Sequence, residues 1–214
     1  MQRIRKERPM CTRFYIESDN VKLIPIMEAA RKAPYLLTMI ERFPSPLVTS
    51  GEVRPTNLAA VLAPNKQGNR ASYPMRWGYR LNEKTTLFNA RLETASEKPT
   101  FREDYRRHRC IVPASWYYEW EHSKTPSGET KTGDKYAIQP FGRTITWLAG
   151  LYHMEEGLPC FVILTRTPSE QLLKIHDRMP LILPEHLVDA WIHPDSDPDA
   201  LAKQALTDMV AEKV

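Results

Sequence analysis

No stretch of the chain approaches the ~20 consecutive apolar residues that a helix needs to span a bilayer, so a role as a helical membrane protein is excluded. The basic N-terminus, MQRIRKERP, has no apolar segment behind it and lacks the form of a secretory signal. Cysteine is scarce. Cys11, Cys110 and Cys160 are odd in number and lack framework spacing, which fits a reducing, cytoplasmic setting. His108, His122, His153, His186 and His193 show no ligand spacing with Cys110 or Cys160, so neither a structural zinc nor any other cofactor is expected. Cys110 and Cys160, within apolar runs, read as buried thiols. There is no internal repeat and no low-complexity tract, and a monomer is expected.

What is present is a chain of 214 residues, enough for one domain with a proper core. The formal net charge is +4. Arg3, Arg5, Lys6 and Arg8 against Glu7 supply +3 of it, so the remainder is nearly neutral and bulk charge says little about partners. Local charge says more. FREDYRRHRC (101–110) crowds Arg102, Arg106, Arg107 and Arg109, which on charge alone is a solvated face.

Residues 21–43 read as helical, interrupted at Pro25 and Pro34. LAAVLAP (58–64), ASYPMRWGY (71–79), CIVPASWYYEW (110–120), TITWLAGLYHM (144–154) and CFVILT (160–165) read as strands, with 121–135 a polar loop. TPSEQLLKIHDRMP (167–180) reads as the best-defined helix, with Thr167 as cap, Pro168 in the first turn and Glu170 completing a capping box. That would set His176 near its last turn. Residues 183–192 and 197–210 read as closing helices. Many short strands and few helices make the fold class α+β with a strand-rich core.

Four polar groups stand against the ends of these elements: Cys11, Asn89 in NARLETA, Glu119 in WYYEW and His176 in IHDRMP. Taken singly, each suits an ordinary structural role. Together, Met10-Cys11-Thr12-Arg13-Phe14, Asn89-Ala90-Arg91-Leu92-Glu93-Thr94, Tyr118-Glu119-Trp120 and His176-Asp177-Arg178-Met179-Pro180 resemble, in order, the motifs of the SOS-response-associated peptidase (SRAP) family of abasic-site-processing proteins.

The resemblance runs from Met10 to about Trp191 and implies a barrel-like core of mainly antiparallel sheets with peripheral helices. It implies a single domain over 10–214 after a leader at 1–9, which is either a misassigned start or a short propeptide. It also implies the chemistry. An N-terminal cysteine carries amine and thiol on one residue, and an α-amino group has a pKa of about 7.7–8.0. Its neutral amine condenses with an aldehyde, and the thiolate then closes a thiazolidine ring. The ring-opened sugar of an abasic site in single-stranded DNA offers that aldehyde, so the expected product is a covalent DNA–protein cross-link through Cys11 once residues 1–10 are gone. Glu119 takes the acid/base role, aided by desolvation among aromatics. His176 assists or holds the phosphate beside the lesion, and Asn89 fixes the amine. Arg13, Arg91 and Arg178 suit phosphate contacts, with Thr165 adding a hydroxyl.

The chain departs from the family pattern in places. Thr12 replaces Gly, Glu52-Val53-Arg54-Pro55-Thr56 stands for Asn-x-Ala-Pro-Thr, and Tyr79-Arg80-Leu81-Asn82 lacks Pro-x-Trp. Two other activities remain open on the sequence. One is a thiol autopeptidase cleaving before Cys11, with possible hydrolase or lyase chemistry. The other is a non-catalytic DNA-binding module of phage or mobile-element type.

Overall fold

In the computed structural model, residues 12–124 and 130–214 are described, without the side chains of 123, 124 and 130. Cys11 and the whole of the expected leader at 1–9 lie outside the described residues, as does the centre of the expected 121–135 loop.

Two sheets make the body. The larger is a ring. Leu158–Arg166 pairs in parallel with Arg70–Trp77, which pairs with Leu58–Pro64, then Arg109–Ala114, then Thr146–Glu155, which returns to Leu158–Arg166. The strands at 58–64, 109–114 and 158–166 are apolar almost without alternation because each is buried nearly throughout its length. The ring takes on short strands at its margins, among them Asn89–Arg91 parallel to 163–165 and Met179–Pro180 antiparallel to 165–166. Gly150 marks how closely the ring is packed: a Cβ there would meet the Val162 carbonyl oxygen at 2.6 Å.

The smaller sheet has the order Met209–Lys213, Thr130–Pro140, Trp116–Lys124, Arg13–Ile16, Gly51–Val53, all antiparallel. Its sequence alternates as a half-buried sheet should. Phe14, Ile16, Val53, Tyr117 and Ile138 face the ring and join one hydrophobic core with Trp77 and Phe161. Arg13, Tyr15, Glu52, Trp116, Tyr118, Trp120 and Lys135 fall on the opposite, outer face. Ser115 is the corner at which the chain leaves the ring for the second sheet: its N–H donates to the Tyr15 carbonyl and its hydroxyl accepts from the Glu17 N–H.

The helices are peripheral. The 21–43 segment splits as its prolines dictate, into Ile24–Arg31 and Leu36–Arg42. The strand-rich α+β architecture expected from sequence is the one observed. Three elements differ from expectation. The 121–135 loop is shorter, because strands run to Lys124 and resume at Thr130. Residues 197–210 hold only the short helix Pro198–Ala202 before the strand Met209–Lys213. The 167–180 helix is reduced to the 3₁₀ turn Glu170–Leu172. Its intended cap is engaged elsewhere: Thr167 turns its N–H and hydroxyl to the Glu93 carboxylate, so tertiary contacts override the local capping signal.

Candidate functional site

The end of the ring at Thr165 gathers three of the sequence motifs. Ladder register sets Asn89 beside Ile163, Arg91 beside Thr165, and Thr165 opposite Pro180. The segments 89–94 and 176–180 therefore flank one strand. A fork joins them. Arg178 donates from Nη1 and Nη2 to the two carboxylate oxygens of Glu93, both at 2.6 Å, and from Nη2 to the Thr165 carbonyl at 2.7 Å. Burial would raise the Glu93 pKa, but the guanidinium and the Thr167 N–H outweigh it and bring it down to about 2.

The third partner is the Glu119 strand. The His122 N–H donates to the Ile175 carbonyl at 3.0 Å, and the His122 and His176 rings meet edge to face at 5.0 Å. Glu119 is on the inward face with Tyr117 and only 5% exposed, and its Oε1 accepts the Trp120 N–H at 3.2 Å. His176 is nearly buried. Its Nδ1 lies 3.1 Å from the Arg178 N–H and 3.0 Å from the Asp177 carboxylate. These contacts belong to different protonation states, since Nδ1 accepts in one and donates in the other. Desolvation lowers the His176 pKa, helped by His122 and Arg178 and opposed by the largely exposed Asp177. The neutral ring then accepts from Arg178 and carries its proton on Nε2.

Arg13 stands on the outer face of the smaller sheet, opposite Tyr118, with its guanidinium 5.2 Å over the Trp120 ring. Its Nη1 donates to Glu52 at 2.6 Å. Arg54 Nε donates to the same carboxylate at 2.7 Å, and Lys135 Nζ at 3.3 Å. Burial raises the Glu52 pKa, but these three donors reverse the effect and lower it. The Arg54–Asn57 turn beside it puts Thr56 at φ 73, a left-handed conformation that a β-branched residue rarely adopts.

Several expected site residues are placed otherwise than the sequence suggests. Thr165 has no exposed surface, and its hydroxyl donates to the Ala90 carbonyl at 3.4 Å, so it presents nothing to a phosphate in this arrangement. Arg178 is committed to Glu93. Arg109 does not share the solvated face expected of the 102–109 arginines: it is fully buried and bonds the carbonyls of Tyr105 and Trp191 at 2.9 and 2.8 Å, tying the 102–107 helix to the C-terminal segment. Arg91 is exposed at the site margin. Glu93, within the 89–94 motif, and Glu52, within the departing 52–56 segment, carried no assigned role in the sequence, and Lys135 gave no signal there. Cys110 and Cys160 are buried free thiols, as expected, and burial pushes the Cys160 pKa up to about 12.

A family model described as SOS response associated peptidase (SRAP) matches residues 10–214. The chain is similar to the abasic site processing protein YoqW of Bacillus subtilis, 36% identical over 149 residues, 64% of each chain. It is 34% identical to the abasic site processing protein YoaM of the same organism over 157 residues, 68% of this chain and 66% of that one. It is 33% identical to the abasic site processing protein YedK of Escherichia coli over 130 residues, 56% of this chain and 54% of that one. The chain thus spans less than two thirds of the length of these relatives. Among solved structures, a Bacteroides thetaiotaomicron protein superposes with a TM-score of 0.70 at 22% identity, covering 95% of this chain and 92% of that one. A phage-related protein of Bordetella bronchiseptica does so with a TM-score of 0.66 at 22% identity, covering 95% and 94%. These two likenesses are of fold.

Proposed function

The chain belongs to the SOS response associated peptidase (SRAP) family, and on that premise we propose that it processes abasic sites in single-stranded DNA by covalent capture on Cys11, after residues 1–10 are removed. One observation carries the reading. The strand Arg13–Ile16 runs antiparallel to the Glu119 strand with Arg13 opposite Tyr118, so the chain entering that strand comes from the side of Glu119. The 176–180 loop docks on the same strand through His122.

The chemistry asked of these groups is proton traffic. The Cys11 amine adds to the aldehyde carbon of the opened sugar, the carbinolamine loses water to give an imine, and the thiolate adds to the imine carbon as nitrogen takes up a proton. Glu119 supplies and recovers the protons. Neutral His176, with its proton on Nε2, donates a hydrogen bond to the sugar or its phosphate, and the Asn89 carboxamide orients the amine. Arg13 and Arg91 meet the DNA backbone. Arg178 acts through Glu93, holding the His176 loop in place. The relatives' names, which describe abasic site processing, support the substrate class.

The test is a gel-shift of a heat-stable adduct with abasic single-stranded DNA, using protein that begins at Cys11. Cys11→Ala abolishes the adduct, and Glu119→Gln slows it about 10²–10⁴-fold. The form bearing residues 1–10, verified by intact mass, gives none, because its Cys11 nitrogen is acylated. Equal cross-linking by that form would sink the aminothiol mechanism. Spontaneous loss of residues 1–10 would instead favour an autopeptidase.

A further inference from the structure

We propose that Glu52 is an internal stand-in for a DNA phosphate, occupying an anion site formed by Arg13, Arg54 and Lys135 on the outer face of the smaller sheet, and that a phosphodiester of single-stranded DNA displaces it. This rests on the reading that the chain takes single-stranded DNA.

One carboxylate receives three cations, at 2.6, 2.7 and 3.3 Å. The cluster therefore keeps a surplus of two positive charges. Two of the three cations also lie over aromatic rings. Lys135 Nζ is 3.6 Å above Tyr118 and 5.5 Å from the centre of Trp120, whose ring also carries Arg13. Cationic groups beside ring faces are the surface that single-stranded nucleic acid uses, with phosphates on the charges and bases on the rings. Solvent reaches the cluster chiefly along Arg54, whose side chain is 61% exposed, against 34% for Arg13, 27% for Lys135 and 20% for Glu52. The outermost pair, Arg54 to Glu52, is held weakly against water and salt, so a phosphodiester can begin to exchange for Glu52 there. The cluster is joined to the proposed catalytic strand, because Tyr118 and Trp120 bracket Glu119 in sequence. Glu52 stands where the family pattern has Asn, so the carboxylate is this chain's own modulation of DNA affinity.

The experiment uses the full chain carrying Cys11→Ala, so that no covalent step intervenes, and a labelled oligothymidylate with no abasic site. Anisotropy titrations compare Glu52 with Glu52→Gln across a salt series. Glu52→Gln is expected to bind more tightly, with a log K against log salt slope steeper by about 0.7 for each cation that takes up a phosphate. Adding Lys135→Gln is expected to remove about 0.7 of that slope again. Equal or weaker binding by a folded Glu52→Gln protein overturns the proposal, and so does no binding by either form. If Glu52→Gln does not fold, the Glu52 carboxyl carbon is titrated by NMR in the Cys11→Ala protein. Bound oligonucleotide should raise its midpoint towards the ordinary carboxylate range, and an unchanged midpoint in the saturated complex overturns the proposal. The covalent reading fails separately: tighter binding by Glu52→Gln with no abasic adduct from Cys11-starting protein would sink that reading and leave the anion site standing.

Discussion

Two carboxylate-centred clusters stand apart in the molecule, Glu93 beside the His176 loop and Glu52 on the outer face of the smaller sheet, and their charge balance separates them. Glu93 and Arg178 meet one to one, with a fork geometry that leaves no net charge. Glu52 meets Arg13, Arg54 and Lys135 and leaves a surplus. A balanced pair whose guanidinium is buried is a clamp, and its worth lies in holding two chain segments together. An unbalanced cluster at the surface contributes little to stability and most to what the surface attracts. The same residue type, arginine in a family motif, thus stands in opposite settings at Arg178 and Arg13.

The largest effect should come from breaking the clamp. Arg178→Ala removes the guanidinium from the Glu93 carboxylate, which keeps the Thr167 donors, and from the Thr165 carbonyl, and should cost about 2 kcal/mol in urea denaturation. It should also slow abasic cross-linking, since the His176 loop loses its anchor. Arg178→Lys should recover less than half of the stability, because an ammonium cannot reproduce the fork. Comparable losses from Arg13→Ala would erase the distinction between the two clusters.

The pH dependence is next in size. The Glu93 carboxyl is held at about 2 in the folded protein, against about 4.3 when unfolded. A depressed carboxylate contributes stability that is fully present above the unfolded value and is lost as pH falls through the folded one. Stability should therefore decline between about pH 5 and pH 2, and Glu93→Gln should flatten that decline.

A smaller effect concerns the turn beside Glu52. Thr56 sits at φ 73. Thr56→Gly relieves the steric cost of a left-handed β-branched residue but adds chain entropy to the unfolded state, so a net gain of up to about 1 kcal/mol is expected in thermal unfolding. The smallest stability effect belongs to Lys135→Gln, below about 0.5 kcal/mol. Its signature should be in the salt dependence of DNA binding instead.

How much of this was legible in the sequence follows from how local each cause is. The strand at 58–64 was readable because a short, wholly apolar run between turn formers has few other homes. The helix break at Pro34 was readable for the same reason. The 167–180 helix was not, because Thr167 serves Glu93, which is 74 residues away. The clamp and the Glu52 cluster were hidden for that reason too: Arg178 and Glu93 are 85 residues apart, and Lys135 and Glu52 are 83. Motif matching expected phosphate contacts from Arg178 and Thr165, whose side chains turn instead to Glu93 and to the Ala90 carbonyl. Exposure depends on contacts that no motif spells out.

The ring has a consequence in time. Its closure joins Arg70–Trp77 to Leu158–Arg166, so a nascent chain cannot complete it until residue 166 has cleared the ribosome. At a synthesis rate of about 5–20 residues per second, the 70–77 strand waits several seconds with one edge unpaired. Apolar strands such as 58–64 are made early and must be shielded through that interval. The ring should therefore close late, and the protein's yield should track the supply of chaperones that cover open strands.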